Sequence, residues 1–102
     1  MEKLEIKKKI KEAIEKNHHK KDIKKVSLFG SYVKETAEED SDVDVLVEFK
    51  PEATVGFFKF VQIQRELSDF VGKPIDLLTP EALSKFFRDK VLKEAETIYE
   101  RE

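Results

Sequence analysis

The chain has 102 residues, 41% charged and 39% hydrophobic, with a formal net charge of −2. This length suits one modest core, read as a single domain over residues 1–102, and the mixture excludes a disordered chain. The absence of Cys excludes disulfides and thiolate metal sites. No apolar run approaches a membrane span and MEKLEIKKKI lacks a secretory apolar region, so a cytoplasmic chain without a membrane partner is expected.

Leu4, Ile6, Ile10 and Ile14 lie near helical spacing, which predicts an amphipathic helix over residues 2–17. Residues 1–25 carry ten Lys against five acidic residues, read as a solvated helix face rather than a nucleic-acid arm. His18-His19 reads as an exposed, inert pair at the helix end, not a metal site. Lys25 to Phe29 is a β-prone run stopped by Gly30, and Ser31 can cap the helical turn that follows. The polar stretch from Glu35 to Asp40 is a loop. Val43, Val45 and Val47 alternate with Asp42, Asp44 and Leu46, the period of a strand.

A helix is predicted from Thr54 to Phe70 or Val71, with Phe57, Phe60, Val61, Ile63, Gln64 and Leu67 on one stripe and Gly72 as its stop. Arg65 falls on its surface. Residues 74–78 form another short strand, and Thr79-Pro80 opens a helix with Thr as N-cap. Leu83 to about Ala95 is helical, and Thr97-Ile98-Tyr99 is either an edge strand or more helix. The alternation predicts an α+β fold, a small mixed sheet with helices on one side.

Three features carry chemistry. Asp42 and Asp44 sit two apart in a strand, so their carboxylates share a face and repel one another. A divalent cation relieves that repulsion, and Mg²⁺ takes one or two carboxylates and completes its shell with water and phosphates. Asp76 sits between Ile75 and Leu77, an apolar setting that is costly for an unpaired acid. It becomes sensible if its strand lies beside that of Asp44. Three carboxylates could then hold two cations roughly 3.5–4 Å apart, as in phosphoryl transfer. Gly30-Ser31 offers close backbone approach and a hydroxyl at a helix N-terminus, both suited to phosphate, and Lys34 adds a point charge. A lone Gly-Ser or a lone Asp-x-Asp would be an ordinary turn or acidic loop; the two at this spacing, with a third strand acid, are a constrained set.

The run GSYVKETAEEDSDVDVLVEF, which is Gly-Ser, ten residues, then Asp-x-Asp, resembles the signature of the minimal nucleotidyltransferases, or MNT domains, of the DNA polymerase β superfamily. The stretch GKPIDLLTPEAL resembles the family's third-carboxylate strand and the helix after it. The resemblance spans about Lys3 to Tyr99 and implies the polymerase β palm-like nucleotidyltransferase fold. It implies ATP as substrate with two Mg²⁺ ions, Asp42, Asp44 and Asp76 as catalytic metal ligands, and Gly30 and Ser31 on the triphosphate. It also implies a partner, a HEPN-domain toxin, with AMP moved from ATP to a toxin tyrosine. Relatives commonly carry Arg and Gly where this chain has Lys34 and Glu35; Lys keeps the charge but loses the bidentate fork.

Two alternatives stay open: a non-catalytic antitoxin acting as a binding module, and transfer to RNA or a small molecule. Direct nucleic-acid binding is not expected, since no aromatic platform interleaves with the basic arm. Eight Phe, including Phe57-Phe58 and Phe86-Phe87, exceed what one helix face buries. Phe58 or Phe87 therefore belongs to an interface, a homo-oligomer included, or to a second layer of the core. Tyr32 lines the pocket mouth or packs locally.

Overall fold

A computed structural model describes residues 2–34, 37–38 and 41–101. Helix α1 (Lys3–Glu15) buries Ile6, Ile10, Ala13 and Ile14 at helical spacing and leaves Lys8 and Lys11 in water. Leu4, expected on that stripe, is 72% exposed. Asn17 follows the helix and is buried. Its amide donates to Glu66 Oε2 at 2.9 Å and its carbonyl oxygen accepts from the His19 N–H at 2.8 Å.

Strand β1 (Ile23–Phe29) begins earlier than the apolar run suggested, because Ile23 is fully buried and pairs with Phe49. Strand β2 (Val43–Phe49) lies antiparallel to β1. Helix α2 (Phe57–Val71) then crosses to β3 (Ile75–Leu78), which runs parallel to β2. A parallel neighbour cannot be reached by a tight turn, and α2 is the crossover that reaches it. Gly72 ends α2 in the left-handed conformation, at φ +82°, as its place after the apolar stripe predicts.

Two predicted helix starts are corrected. Helix α2 begins at Phe57 rather than Thr54. Phe57 and Phe58 are 75% and 86% exposed and meet edge-to-face, while Ile63, Leu67 and Val71 form the buried stripe. Thr79-Pro80 opens only a 3₁₀ turn, Pro80–Ala82, and Thr79 makes no side-chain cap. Leu83 and Ser84 are extended, and helix α3 (Lys85–Glu94) starts after Ser84, whose Oγ accepts from the Phe86 N–H at 3.3 Å. The guanidinium of Arg88 donates to the carbonyls of Pro80 and Leu83 at 2.8 and 3.1 Å, satisfying acceptors outside α3.

The open choice at residues 97–99 resolves as strand β4 (Glu96–Glu100), antiparallel to β1. The sheet is therefore mixed, in the order β3-β2-β1-β4. Helix α1 packs on α2 and β4, and α2 on β3, so these two helices cover one sheet face. The core between them gathers Val26, Leu28, Val43, Val45, Val47, Ile75 and Leu77 with the apolar stripes of α1 and α2. This is the α+β arrangement expected. Helix α3 buries none of its own residues. Among the described residues no helix is long and apolar enough to cross a membrane.

Candidate active site

The register of the sheet assembles the acidic residues. Asp44 on β2 is the Cα partner of Phe29 on β1 and of Asp76 on β3. Val43, Val45, Ile75 and Leu77 are buried under the helices, so alternation sends Asp44 and Asp76 out of the opposite face. Asp42, expected in the strand, lies just before β2, near enough for its charge to act on Asp44. Asp76 is exposed, not buried as its neighbours in sequence suggested: Ile75 and Leu77 point into the core and it points away. Asp42 is exposed too, and Asp44 is half-buried.

Burial holds the Asp44 carboxyl above the usual carboxylate range, and the charges of Asp76 and then Asp42 push it further the same way. The backbone N–H of Ser31, donating to Asp44, opposes them. Both other aspartates are thus near enough for their charges to act on Asp44. Among the described residues no three His, Cys, Asp or Glu side chains converge closely enough to ligate one ion unaided. The carboxylates form an anionic face, not a closed cage. Such a donor set suits Mg²⁺, which takes few protein oxygens and relies on substrate phosphates for the rest.

Gly30 follows β1 and has φ +76°. A Cβ there would collide with Asp44 Oδ2 and lie 2.9 Å from its Cγ. Glycine is required twice, for the dihedral and for the carboxylate pressed against it. The sequence pointed to close backbone approach at Gly30; that Asp44 is what approaches appears only in three dimensions. Ser31 does not cap a helix. It lies inside a single 3₁₀ turn, Gly30–Tyr32, which has too few aligned peptides for a substantial dipole. Its N–H instead ties the turn to Asp44. The N–H groups of Val33 and Lys34 both donate to the Gly30 carbonyl at 3.1 Å, which closes the turn.

Lys34 is exposed and lines a cleft of about 310 Å³ that runs from Gly30 to α3. Glu35, the other departure from the relatives' loop, lies outside the described residues. Tyr32 packs locally: it is 5% exposed and the Lys73 ammonium lies 6.0 Å from its ring centre. His18 and His19 bond to Glu66 and Gln62 of α2, each at 3.2 Å, and Arg65 is exposed. None of the three approaches the acidic face. Sequence reasoning missed Lys90 and Val91, which line the cleft from α3. Only the pairing of β4 with β1 brings α3 there, and the sequence left that pairing open.

The family model described as polymerase beta, nucleotidyltransferase, matches residues 8–102. The chain belongs to this nucleotidyltransferase family. Among its relatives, the protein adenylyltransferase MntA of Thermococcus cleftensis is 36% identical over 72 residues, 71% of each chain. A solved structure provisionally named a minimal nucleotidyltransferase superposes with a TM-score of 0.74 at 27% identity, covering 93% of this chain and 94% of the other. A toxin–antitoxin crystal structure with AMP-PNP also reaches 0.74, at 20% identity, covering 94% of this chain and 74% of that one, a likeness of fold. In this nucleotidyltransferase fold, the Phe29–Asp44 pairing brings Gly30-Ser31 and Asp42-x-Asp44 together at one end of the two central strands.

Proposed function

We propose that this nucleotidyltransferase moves AMP from ATP to a hydroxyl of a protein, a tyrosine of a cognate HEPN-type toxin. The observation that carries the reading is the adjacency of Asp76 and Asp44 on neighbouring strands, with Asp42 beside them and Gly30-Ser31 against Asp44. The relatedness to a protein adenylyltransferase and the likeness to a toxin–antitoxin pair support the acceptor class.

Asp42, Asp44 and Asp76 would hold two Mg²⁺ ions. Those ions would neutralise the triphosphate and lower the pKa of the acceptor hydroxyl, for a tyrosine from about 10. The fit rests on the strand register that sets Asp76 beside Asp44, with the Gly30 backbone pressed against the Asp44 carboxylate. Gly30 and the Ser31 hydroxyl meet the triphosphate, and Lys34 adds a charge. Asp76, exposed at the outer strand, receives the proton of the acceptor hydroxyl. The acceptor oxygen forms a bond to the α-phosphorus in line with the bond to the bridging oxygen, which breaks and releases pyrophosphate.

The test is incubation with ATP labelled at the α-phosphate, Mg²⁺ and the neighbouring toxin. Label on the toxin is the expected result. A toxin bound and silenced without label would instead establish a binding module, and label on RNA a different acceptor.

A further inference from the structure

We infer that the cleft between the Gly30 turn and α3 is the seat of the nucleotide, with Phe87 as platform for the base and Lys90 as a second cation for the phosphates. The inference rests on the nucleotidyltransferase reading and assigns its substrate to residues outside the motif. At about 310 Å³ the cleft has the size of a small-molecule site, not of a protein groove. It starts at Gly30, whose backbone presses on Asp44, so its mouth lies one residue from the acidic face.

Its walls are Phe29 and Val91, its cations Lys34 and Lys90. Among the described residues Glu94 is the one acidic side chain lining it. The cleft is thus cationic beside a face with three carboxylates, in a chain of net charge −2. That contrast suits a polyanion which meets lysines on one flank and cations held by the aspartates on the other.

Phe87 is 62% exposed although it borders this cleft, so its ring offers a face to a ligand rather than to the core. Every base has a π-face that stacks on such a ring. Lys90 lies one turn from Phe87, on the same side of α3, so the helix presents ring and charge together. Helix α3 buries no residue of its own and is held at its start by the Arg88 guanidinium. Arg88 is therefore a positioning residue for the platform.

The experiment measures binding of ATP and of inorganic tripolyphosphate, each with Mg²⁺, by calorimetry on the wild type and on Phe87→Ala, Phe87→Tyr, Lys90→Ala and Asp44→Asn. Phe87 and Lys90 are exposed, and circular dichroism checks that their variants stay folded. Phe87→Ala is expected to weaken ATP roughly tenfold and leave tripolyphosphate unchanged, with Phe87→Tyr restoring ATP affinity. Lys90→Ala is expected to weaken both ligands alike. Wild-type affinity for ATP in both alanine variants would overturn the assignment while leaving the transferase reading intact. Loss of ATP binding in Phe87→Ala with full binding in Asp44→Asn would uphold the cleft and overturn the metal-dependent reading.

Discussion

Asp44 carries the sharpest conflict in the molecule, and its sign can be worked out. Its folded pKa is raised above the ordinary 3.8, so its contribution to stability is fully present below that value and is lost as pH rises through the raised folded value. At neutral pH without metal the ionised Asp44 opposes folding. Asp44→Asn in a chelator is expected to melt higher than wild type at pH 7, with the gap closing as pH falls below 4. Mg²⁺ should raise the wild-type melting temperature and leave the variant unmoved; melting curves against pH, with and without Mg²⁺, read both effects. Gly30→Ala tests the neighbouring contact. The left-handed dihedral alone costs about 1–2 kcal/mol in a residue with a Cβ, and the new methyl must also displace the Asp44 carboxylate. Transfer should fall about 10²-fold, the scale of a 1 Å misplacement, with the chain still folded. Steady-state AMP incorporation measures the fall. The motif announced Gly30 and the aspartates from spacing alone. It could not announce that they touch, because that contact depends on the Phe29–Asp44 register.

Elements were legible where periodicity was clean and obscure where local and tertiary signals competed. The stripes of α1 and α2 and the Val43-Val45-Val47 alternation name themselves. The start of α2 does not, because Phe57 reads as part of the apolar stripe and is exposed. The start of α3 does not either: Thr79-Pro80 has the cap chemistry, yet three carbonyls before the helix are taken by Arg88. The stretch 97–99 was ambiguous since its strand character comes from β1, a partner distant in sequence. Arg88→Ala should destabilise α3 by about 1.5–3 kcal/mol, the worth of hydrogen bonds to a charged donor. Hydrogen exchange is expected to rise in Lys85–Glu94 before it rises in the sheet. Uniform exchange across α3 and β2 in this variant would show that α3 is held by something else. In the covered layer, Ile63→Ala removes a fully buried side chain and should cost about 2–5 kcal/mol in urea unfolding, enough to endanger a domain of this size.

At the scale of the whole chain, one sheet face is covered by helices and the proposed chemistry falls on the other. Helices α1 and α2 bury the first face; on the second, Asp76 is exposed, Asp44 is half-buried and Leu46 is buried further along β2. The Lys excess of residues 1–25 is mostly a solvated surface, as the sequence suggested, but not wholly so. Lys3 and Lys7 pair with Glu96 of β4 at 3.1 and 3.2 Å, tying the first helix to the last strand. These contacts hold the Glu96 carboxyl below its usual range, opposite in sign to Asp44, so their contribution is lost as pH falls through the folded value. They are surface pairs; Glu96→Gln should change stability by no more than about 1 kcal/mol and by less in high salt. The proposed function therefore places catalysis on the acidic face and not on the basic arm. Counting Mn²⁺ bound per chain by electron paramagnetic resonance, with a non-hydrolysable ATP analogue present, tests that most directly. Two ions on the wild type and a loss of binding in Asp44→Asn and Asp76→Asn are the expected result; equal Mn²⁺ binding in all three proteins would contradict the account.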